Sequence, residues 1–263
     1  MNTNSRPAIF ITGASAGIGR ATAELFAARG WFVGLYDVAD GAAEALRQQL
    51  GPDRCVAGRL DASDATAFAE ALRTFFDAAG GRLDLLFNCA GILSTGDFDS
   101  IPVERHQRIV DVNLRGVLNG CHAALPYLRR TPGARVVNMA SASALHGVPG
   151  FASYSSTKFA VRGLTEALGI EWARYGIRVM DVSPPFVATP MVTSIAAPPA
   201  SVNRLGIRLQ AADVALAVWR AAHWRLWPRV HWYPGWQTKG FAALNKLSPS
   251  WLNRFTTRLI SGY

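Results

Sequence analysis

Tyr154 and Lys158 lie four residues apart, and Ser141 precedes the tyrosine by 13. On a helix, four residues make about one turn, so the phenol and the ammonium leave the same face. A cation within a few ångströms favours the phenolate over the phenol. A free phenol ionises near pH ~10, so such help is what would let Tyr154 act as a general acid/base near neutrality. The pair alone decides nothing, because a solvent-facing tyrosine and lysine on an amphipathic helix have the same spacing.

The elements that must position this pair begin at Ala8–Thr12, a short continuous apolar run expected of a parallel strand covered on both faces. Gly13, Gly17 and Gly19 follow it, and then a helical pattern over Ala21–Arg29 closes at Gly30. Strand, glycine turn and helix in this order form a dinucleotide-binding arrangement, with glycines that admit a pyrophosphate to the helix N-terminus. The spacing G-x-x-x-G-x-G differs from the general G-x-G-x-x-G fingerprint. A second strand, Trp31–Asp37, ends in an acid 18 residues after Gly19. A carboxylate there accepts hydrogen bonds from ribose hydroxyls and repels a 2′-phosphate. No Lys or Arg follows at Val38 or Ala39, so the sequence favours NAD over NADP; Asp37 as a mere cap of the next helix is the competing reading.

Further strands are expected at Cys55–Asp61, Leu83–Asn88, Arg135–Ser141, Arg178–Ser183 and Arg229–Tyr233. Helices are expected at Ala42–Leu50, Ala65–Ala78, Pro102–Leu128, Tyr154–Tyr175 and Gln210–Arg225, and Ser248 and Pro249 suit the cap and first turn of a last helix through Ile260. The alternation predicts one α/β domain over residues 1–263: a Rossmann-like, doubly wound, seven-stranded parallel sheet with helices on both faces. Strand C-termini line the ligand crevice in such sheets, which places Asp61 and Asn88 near a nucleotide.

Composition narrows the function. Half of the 263 residues are hydrophobic and 17% are charged, which excludes a disordered chain. No apolar run approaches the ~20 residues needed to span a bilayer, and the polar start Met1–Pro7 shows no signal peptide, so a cytoplasmic protein is expected. Cys55, Cys89 and Cys121 are too far apart for a zinc site or a disulfide framework, and no metal is expected. Residues 201–263 hold nine of the 27 Lys/Arg, one acid (Asp213) and six of the eight tryptophans. No recognition motif accompanies that charge, so nucleic acid is not the expected partner.

Together, Thr12 with the glycine turn, Asp61, Asn88-Cys89-Ala90-Gly91, Asn113, Ser141, Tyr154, Lys158 and the stretch Pro184–Thr189 resemble the short-chain dehydrogenase/reductase family of the older type. The resemblance is dense over residues 7–192. It implies a catalytic set of Asn113, Ser141, Tyr154 and Lys158. Tyr154 exchanges a proton with the substrate oxygen, Ser141 hydrogen-bonds that oxygen, Lys158 lowers the tyrosine pKa and grips the nicotinamide ribose, and Asn113 holds a water that connects Lys158 to solvent. It further implies NAD contacts from Gly13, Ser15, Gly17, Ile18, Gly19, Asp37, Asp61, Ala62, Asn88, Ala90, Gly91, Tyr154, Lys158, Pro184, Val187 and Thr189. Hydride transfer needs no metal. Two positions depart from the family pattern. Cys89 replaces an asparagine, removing amide support for the central helix, and Pro185 replaces a glycine in the loop toward the nicotinamide.

The substrate side is expected in a proline-containing lid over 190–210, with Leu145, Val148, Phe151 and a nearby His146. These residues suit a hydrophobic secondary alcohol or its ketone. An NADPH-dependent ketoreductase and a non-catalytic NAD(H)-binding sensor or scaffold remain as alternatives. The family uses the helices at Pro102–Leu128 and Tyr154–Tyr175 for subunit contacts, which implies a homodimer or homotetramer. The C-terminal extension, 240–263, is basic and amphipathic, with Trp251, Leu252, Phe255 and Leu259 on one face and Arg254 and Arg258 elsewhere. It suits packing on its own or a partner subunit, or peripheral membrane contact through 249–260.

Overall fold

The apolar runs become buried strands in the computed structural model, which describes residues 6–262. Met1–Ser5 of the polar start lie outside the described residues. The strands are β1 (Ala8–Thr12), β2 (Phe32–Asp37), β3 (Cys55–Arg59), β4 (Leu85–Asn88), β5 (Arg135–Met139), β6 (Arg178–Val182), β7 (Val187–Ala188), β8 (Leu209–Gln210) and β9 (His231–Trp232). Seven of them form an all-parallel sheet in the order β3-β2-β1-β4-β5-β6-β9, and β7 and β8 make a separate two-stranded parallel ribbon. The order reverses between β1 and β4, which opens a crevice at the C-terminal ends of those two strands. There the Thr12 hydroxyl accepts the backbone N–H groups of Cys89 and Ala90 at 3.0 and 3.1 Å, and so ties the two strand exits together.

The helices are α1 (Gly17–Ala28), α2 (Ala42–Leu50), α3 (Ala65–Ala78), α4 (Val103–Val110), α5 (Gly116–Leu128), α6 (Ala152–Glu171), α7 (Pro190–Thr193), α8 (Ala200–Leu205), α9 (Ala211–His223), α10 (Trp236–Leu247) and α11 (Ser250–Ser261). Alternate residues of each strand serve opposite faces. Phe10 of β1 packs beneath α3 with Phe68 and Phe75, whereas Ile9 and Ile11 face α1 and α9 with Phe26, Val214 and Val218. The Phe10 ring stacks on Tyr36 at 4.3 Å and meets Phe75 edge-on at 5.4 Å. At the far edge, buried Asp181 accepts from His231 Nδ1 at 2.5 Å and from the Ser183 hydroxyl at 2.8 Å, which joins the short β9 to β6.

Several expectations shift. The helix expected over Pro102–Leu128 is interrupted by a π-helical turn, Asp111–Arg115, and the wider turn carries Asn113 into the interior. The lid without periodicity contains α7, α8 and β8. Pro190 stands at the first position of α7, where its missing N–H costs nothing. Ser248 ends α10 instead of capping α11, whose start shows no side-chain cap. The sequence reading contains no counterpart of α10. Arg254 lies on the exposed side of α11 together with Trp251, Phe255 and Leu259, whereas Leu252 is half-buried.

Candidate active site

A cavity of about 490 Å³ runs from the glycine turn past the start of α6 to the C-terminal helices. At one end the turn after β1 has two reasons to be glycine. Gly13 takes φ +66°, and a Cβ on it would meet the Ala90 Cα at 2.9 Å. A Cβ on Gly19 would fall 1.9 Å from the Gly13 carbonyl oxygen, so α1 starts as close to the turn as it does only without a side chain there. Gly17 and Ile18 also face the cavity. Such a bare cradle at a helix N-terminus fits a dinucleotide pyrophosphate.

Asp37 lines the cavity at the end of β2. Its carboxylate accepts from the Ser15 N–H at 2.9 Å and from the Ala39 N–H at 3.1 Å. It does not cap α2, whose N-cap is Gly41, so the carboxylate is fixed at the rim with lone pairs facing the cleft. Asp61 is more heavily engaged. Its oxygens take the Ser63 hydroxyl at 2.6 Å and Arg108 Nη2 at 2.7 Å. Burial by itself would raise this carboxyl, but the bonds from Ser63 and Arg108 outweigh it and bring the pKa to about 2. Arg108 is a cavity residue that the sequence reading missed; an arginine 47 positions from its partner carries no local signal.

The chemistry-bearing residues converge on the middle of the cavity. β5 ends at Met139, and the chain leaves it through Ala140 to Ser141. A turn at Pro149–Gly150 leads to Phe151, the N-cap of α6, and the helix brings Tyr154 and Lys158 onto the wall beside Ser141. The Ser141 hydroxyl accepts the Ser143 N–H at 3.2 Å and lies near enough to the Tyr154 phenol to favour its ionised form. Lys158 is buried, 3% exposed, and its Nζ donates to the Met139 carbonyl at 2.7 Å, 5.4 Å from the Tyr154 ring centroid. Burial raises the Tyr154 pKa to about 12 although Ser141 opposes the shift, and burial lowers Lys158 to about 8. The sequence suggested a phenol lowered by its lysine. Within the chain itself, desolvation of both groups wins, and near neutrality Tyr154 is a protonated phenol.

Asn113 stands behind this wall. Its Oδ1 accepts the Ile92 N–H at 2.8 Å, and its Nδ2 donates to the Ile92 carbonyl at 2.9 Å and to the Thr157 hydroxyl at 3.4 Å. The side chain is completely buried and clamps the loop after β4 to α6. That clamp answers the concern raised by Cys89: the loop is held through backbone groups by Thr12 and Asn113, and no side-chain amide is needed at 89. Asn88 also points away from the cavity. Its Nδ2 donates to Asn138 Oδ1, and Asn138 donates to the Thr165 hydroxyl, both at 2.9 Å. This buried chain braces β4, β5 and α6 beneath the reacting residues. Ser15 meets the site through its backbone, whereas its hydroxyl is buried without a partner among the described residues.

Ala62, Ala90 and Gly91 line the cavity, as do Pro184, Val187 and Thr189. The Pro184 carbonyl accepts the Ala142 N–H at 2.8 Å, which fixes the Pro184–Pro185 loop to the segment after Ser141. On the substrate side the wall includes His146, Val148, Phe151, Met191 and Leu205, but Leu145, expected there, does not line it; its carbonyl accepts Asn245 Nδ2 at 2.8 Å. The surprise is the remaining wall: Gln237, Thr238 and Phe241 of α10, and Thr257, Ile260 and Ser261 of α11. The sequence showed the period of the last helix but not which side would face in.

The chain matches the description of short chain dehydrogenases over residues 7–200. It is 37% identical to oxidoreductase UcpA of Salmonella typhimurium over 189 residues, 71% of each chain. It is 36% identical over 189 residues to levodione reductase of Leifsonia aquatica, 70% of each chain. A short chain dehydrogenase/reductase from Burkholderia phymatum, solved in complex with NAD, superposes with a TM-score of 0.80 at 26% identity, covering 91% of this chain and 92% of that one.

Proposed function

The chain belongs to the short-chain dehydrogenase/reductase family and is an oxidoreductase of alcohols and carbonyls; from that premise we propose that it interconverts a hydrophobic secondary alcohol and its ketone with NAD, using Tyr154 as the general acid/base. One observation carries the reading. Ser141, Tyr154 and Lys158 share a wall of the cavity that holds the glycine turn and Asp37 at one end and a largely apolar lid at the other.

A nicotinamide cofactor, once held by the glycine turn and Asp37, would supply or accept the hydride, and the chain's own residues manage the proton. In reduction, the protonated phenol of Tyr154 gives its proton to the carbonyl oxygen as that oxygen becomes an alcohol. Ser141 donates a hydrogen bond to the same oxygen while its charge grows. Lys158, whose ammonium ionises near pH 8, is suited to return a proton to the phenolate. Oxidation runs the same path backward. Asn113 acts as a positioning residue, because its polar atoms are committed to Ile92 and Thr157.

NAD is favoured over NADP by the charges around Asp37. Arg59, opposite Asp37 in the β2–β3 register, pairs with Asp40 at 2.8 Å, and Arg108 pairs with Asp61 at 2.7 Å. A 2′-phosphate would meet an uncompensated carboxylate. Steady-state oxidation of aliphatic, aromatic and steroid secondary alcohols tests both parts of the reading. The expected kcat/KM is roughly a hundredfold higher with NAD⁺ than with NADP⁺, or ~3 kcal/mol. An NADP⁺ preference would overturn the role given to Asp37, and turnover confined to polar sugars would overturn the substrate class.

We also propose a homodimer or homotetramer built on the outer faces of α4, α5 and α6. Val103, Val110, Leu118, Phe159 and Ile170 are exposed there, with Ile170 at 80%. Sedimentation equilibrium of the intact protein and of Ile170→Glu with Phe159→Glu tests it; a monomeric wild type would remove the proposal.

A further inference from the structure

The two last helices are amphipathic in the reverse sense. On α11, residues 251, 254, 255 and 259 form one stripe at helical spacing, and all are exposed: Trp251 at 68%, Phe255 at 55%, Leu259 at 57%, together with Arg254. The opposite side of the helix, which carries Thr257 and Ser261, is buried against the cavity. On α10 the exposed stripe is Trp236, Lys239, Leu244, Lys246 and Leu247, with Leu247 at 83%, and the buried residue is Thr238. Both helices therefore turn most of their large apolar side chains to the outside, Phe241 and Ile260 on the cavity wall excepted, and their small polar ones inward.

The hairpin is held this way round by specific bonds. Asn253 Nδ2 donates to the carbonyls of Asn245 at 3.2 Å and Ser248 at 3.3 Å, which closes the corner between the helices. Asn245 Nδ2 donates to the Leu145 carbonyl beside the active site, and Arg204 of α8 donates to the Leu259 carbonyl. These bonds hold the two helices at a common corner with both apolar stripes exposed.

We propose that this face of α10 and α11 docks on an anionic lipid surface. Three observations favour that occupant. Residues 214–263 contain no Asp or Glu, and exposed Lys239, Lys246 and Arg254 are interspersed with the apolar side chains. Long cations reach past buried apolar groups to lipid phosphates, and tryptophans suit the boundary between headgroup and chain. A second copy fits poorly, because a two-fold contact would press the same uncompensated cations against themselves. The helices are 12 residues each, and no described helix is long and apolar enough to cross a membrane, so the contact lies along the surface. The same two helices wall the substrate cavity through their opposite sides, so the docked face and the cavity lining belong to the same elements.

Co-sedimentation of the full chain with phosphatidylcholine vesicles, with and without phosphatidylserine, tests the proposal without reference to any catalytic activity. Each Lys or Arg near such a surface adds roughly fivefold to partitioning, so binding to the anionic vesicles should exceed neutral ones by roughly a hundredfold for three cations and fall as salt rises. Lys239→Gln, Lys246→Gln and Arg254→Gln together should erase that preference. Trp251→Ser with Phe255→Ser should release the protein from both vesicle types while its circular dichroism and thermal transition stay as in the wild type. A wild type that stays in the supernatant with anionic vesicles overturns the proposal. So does equal binding by all three proteins, and so does a serine variant whose main change is loss of oligomer mass, since the face would then be a protein interface.

Discussion

Residues 8–182 and the hairpin at 236–261 obey opposite rules of burial. In the former, Phe10, Phe68 and Phe75 are sealed inside and many buried polar groups are paired, as in the Asn88–Asn138–Thr165 chain, although Asn88 Oδ1 and the Ser15 hydroxyl have no partner among the described residues. In the latter, Trp236, Leu247, Trp251 and Phe255 face outward while Thr238 and Ser261 are buried with no partner for their hydroxyls among the described residues. The difference shows where a helix's period and a helix's direction come from. Period is written in the residues themselves, whereas direction depends on what else competes for the inside. The central sheet offers apolar surface to every helix packed on it. The hairpin instead covers a cavity, and its outer face is available for another apolar phase.

Removing one atom from the site within residues 8–182 should have the largest effect. Tyr154→Phe deletes the hydroxyl to which we assign the proton exchange with substrate and which Ser141 faces. Activity in both directions should fall by at least ~10³, with KM for the dinucleotide nearly unchanged and the thermal transition intact. Retention of a tenth of the wild-type kcat would assign the proton to another group. A matched pair of truncations tests the burial contrast itself. Phe68→Ala empties a completely buried site and should cost ~3–5 kcal/mol in urea unfolding. Phe255→Ala, at 55% exposure, should change stability by no more than about 0.5 kcal/mol. Similar losses for the two would mean that the hairpin's outer face is covered in solution.

The same contrast explains how much the sequence revealed. Ala42–Leu50 and Ala65–Ala78 match their helices residue for residue, because each is a single amphipathic segment bounded by turn chemistry. Ser141, Tyr154 and Lys158 were legible from spacing, since one strand end and one helical turn fix their relation. Asn113 and Asn88 were recognisable as important, but their side chains turn toward Ile92 and Asn138, a choice made by a π-helical turn and a neighbouring strand. Arg108 and the walls from α10 and α11 were invisible, because each depends on elements distant in the chain.

Lys158 sharpens the comparison, since it is a buried ammonium within the central fold. Its pKa falls from 10.5 to about 8 through burial. A lysine whose native-state pKa is depressed weakens the fold at pH values where the ammonium persists, and that penalty is relieved as pH rises from about 8 toward 10.5. Lys158→Met should therefore be inactive yet more stable than wild type by about 1–3 kcal/mol at pH 7, with the gap closing between pH 8 and pH 10. Urea unfolding at three pH values measures it. A wild type more stable than the variant at pH 7 would mean that the bond to the Met139 carbonyl outweighs desolvation.

A small effect of opposite sign is expected at Thr238, on the inner face of α10. Its hydroxyl is buried, 1% exposed overall, and has no partner among the described residues. A buried hydroxyl without a bond costs roughly 1–3 kcal/mol, and replacing it with a methyl group of the same shape recovers part of that. Thr238→Val should accordingly raise stability by about 0.5–1 kcal/mol, readable as a small upward shift of the urea midpoint at constant slope. The contrasting control is Thr165→Val beneath the site, where the hydroxyl accepts from Asn138 at 2.9 Å and donates to the Val161 carbonyl at 2.7 Å. There the same substitution strands a buried amide donor and should cost ~1–3 kcal/mol. Opposite signs at the two threonines would show that polar groups near the sheet are structural, whereas those on the hairpin's inner face are held unsatisfied at the expense of stability. If Thr238→Val instead destabilised the protein, its hydroxyl would be bonded in solution, and the cavity wall made by α10 would be as well satisfied as the interior it adjoins.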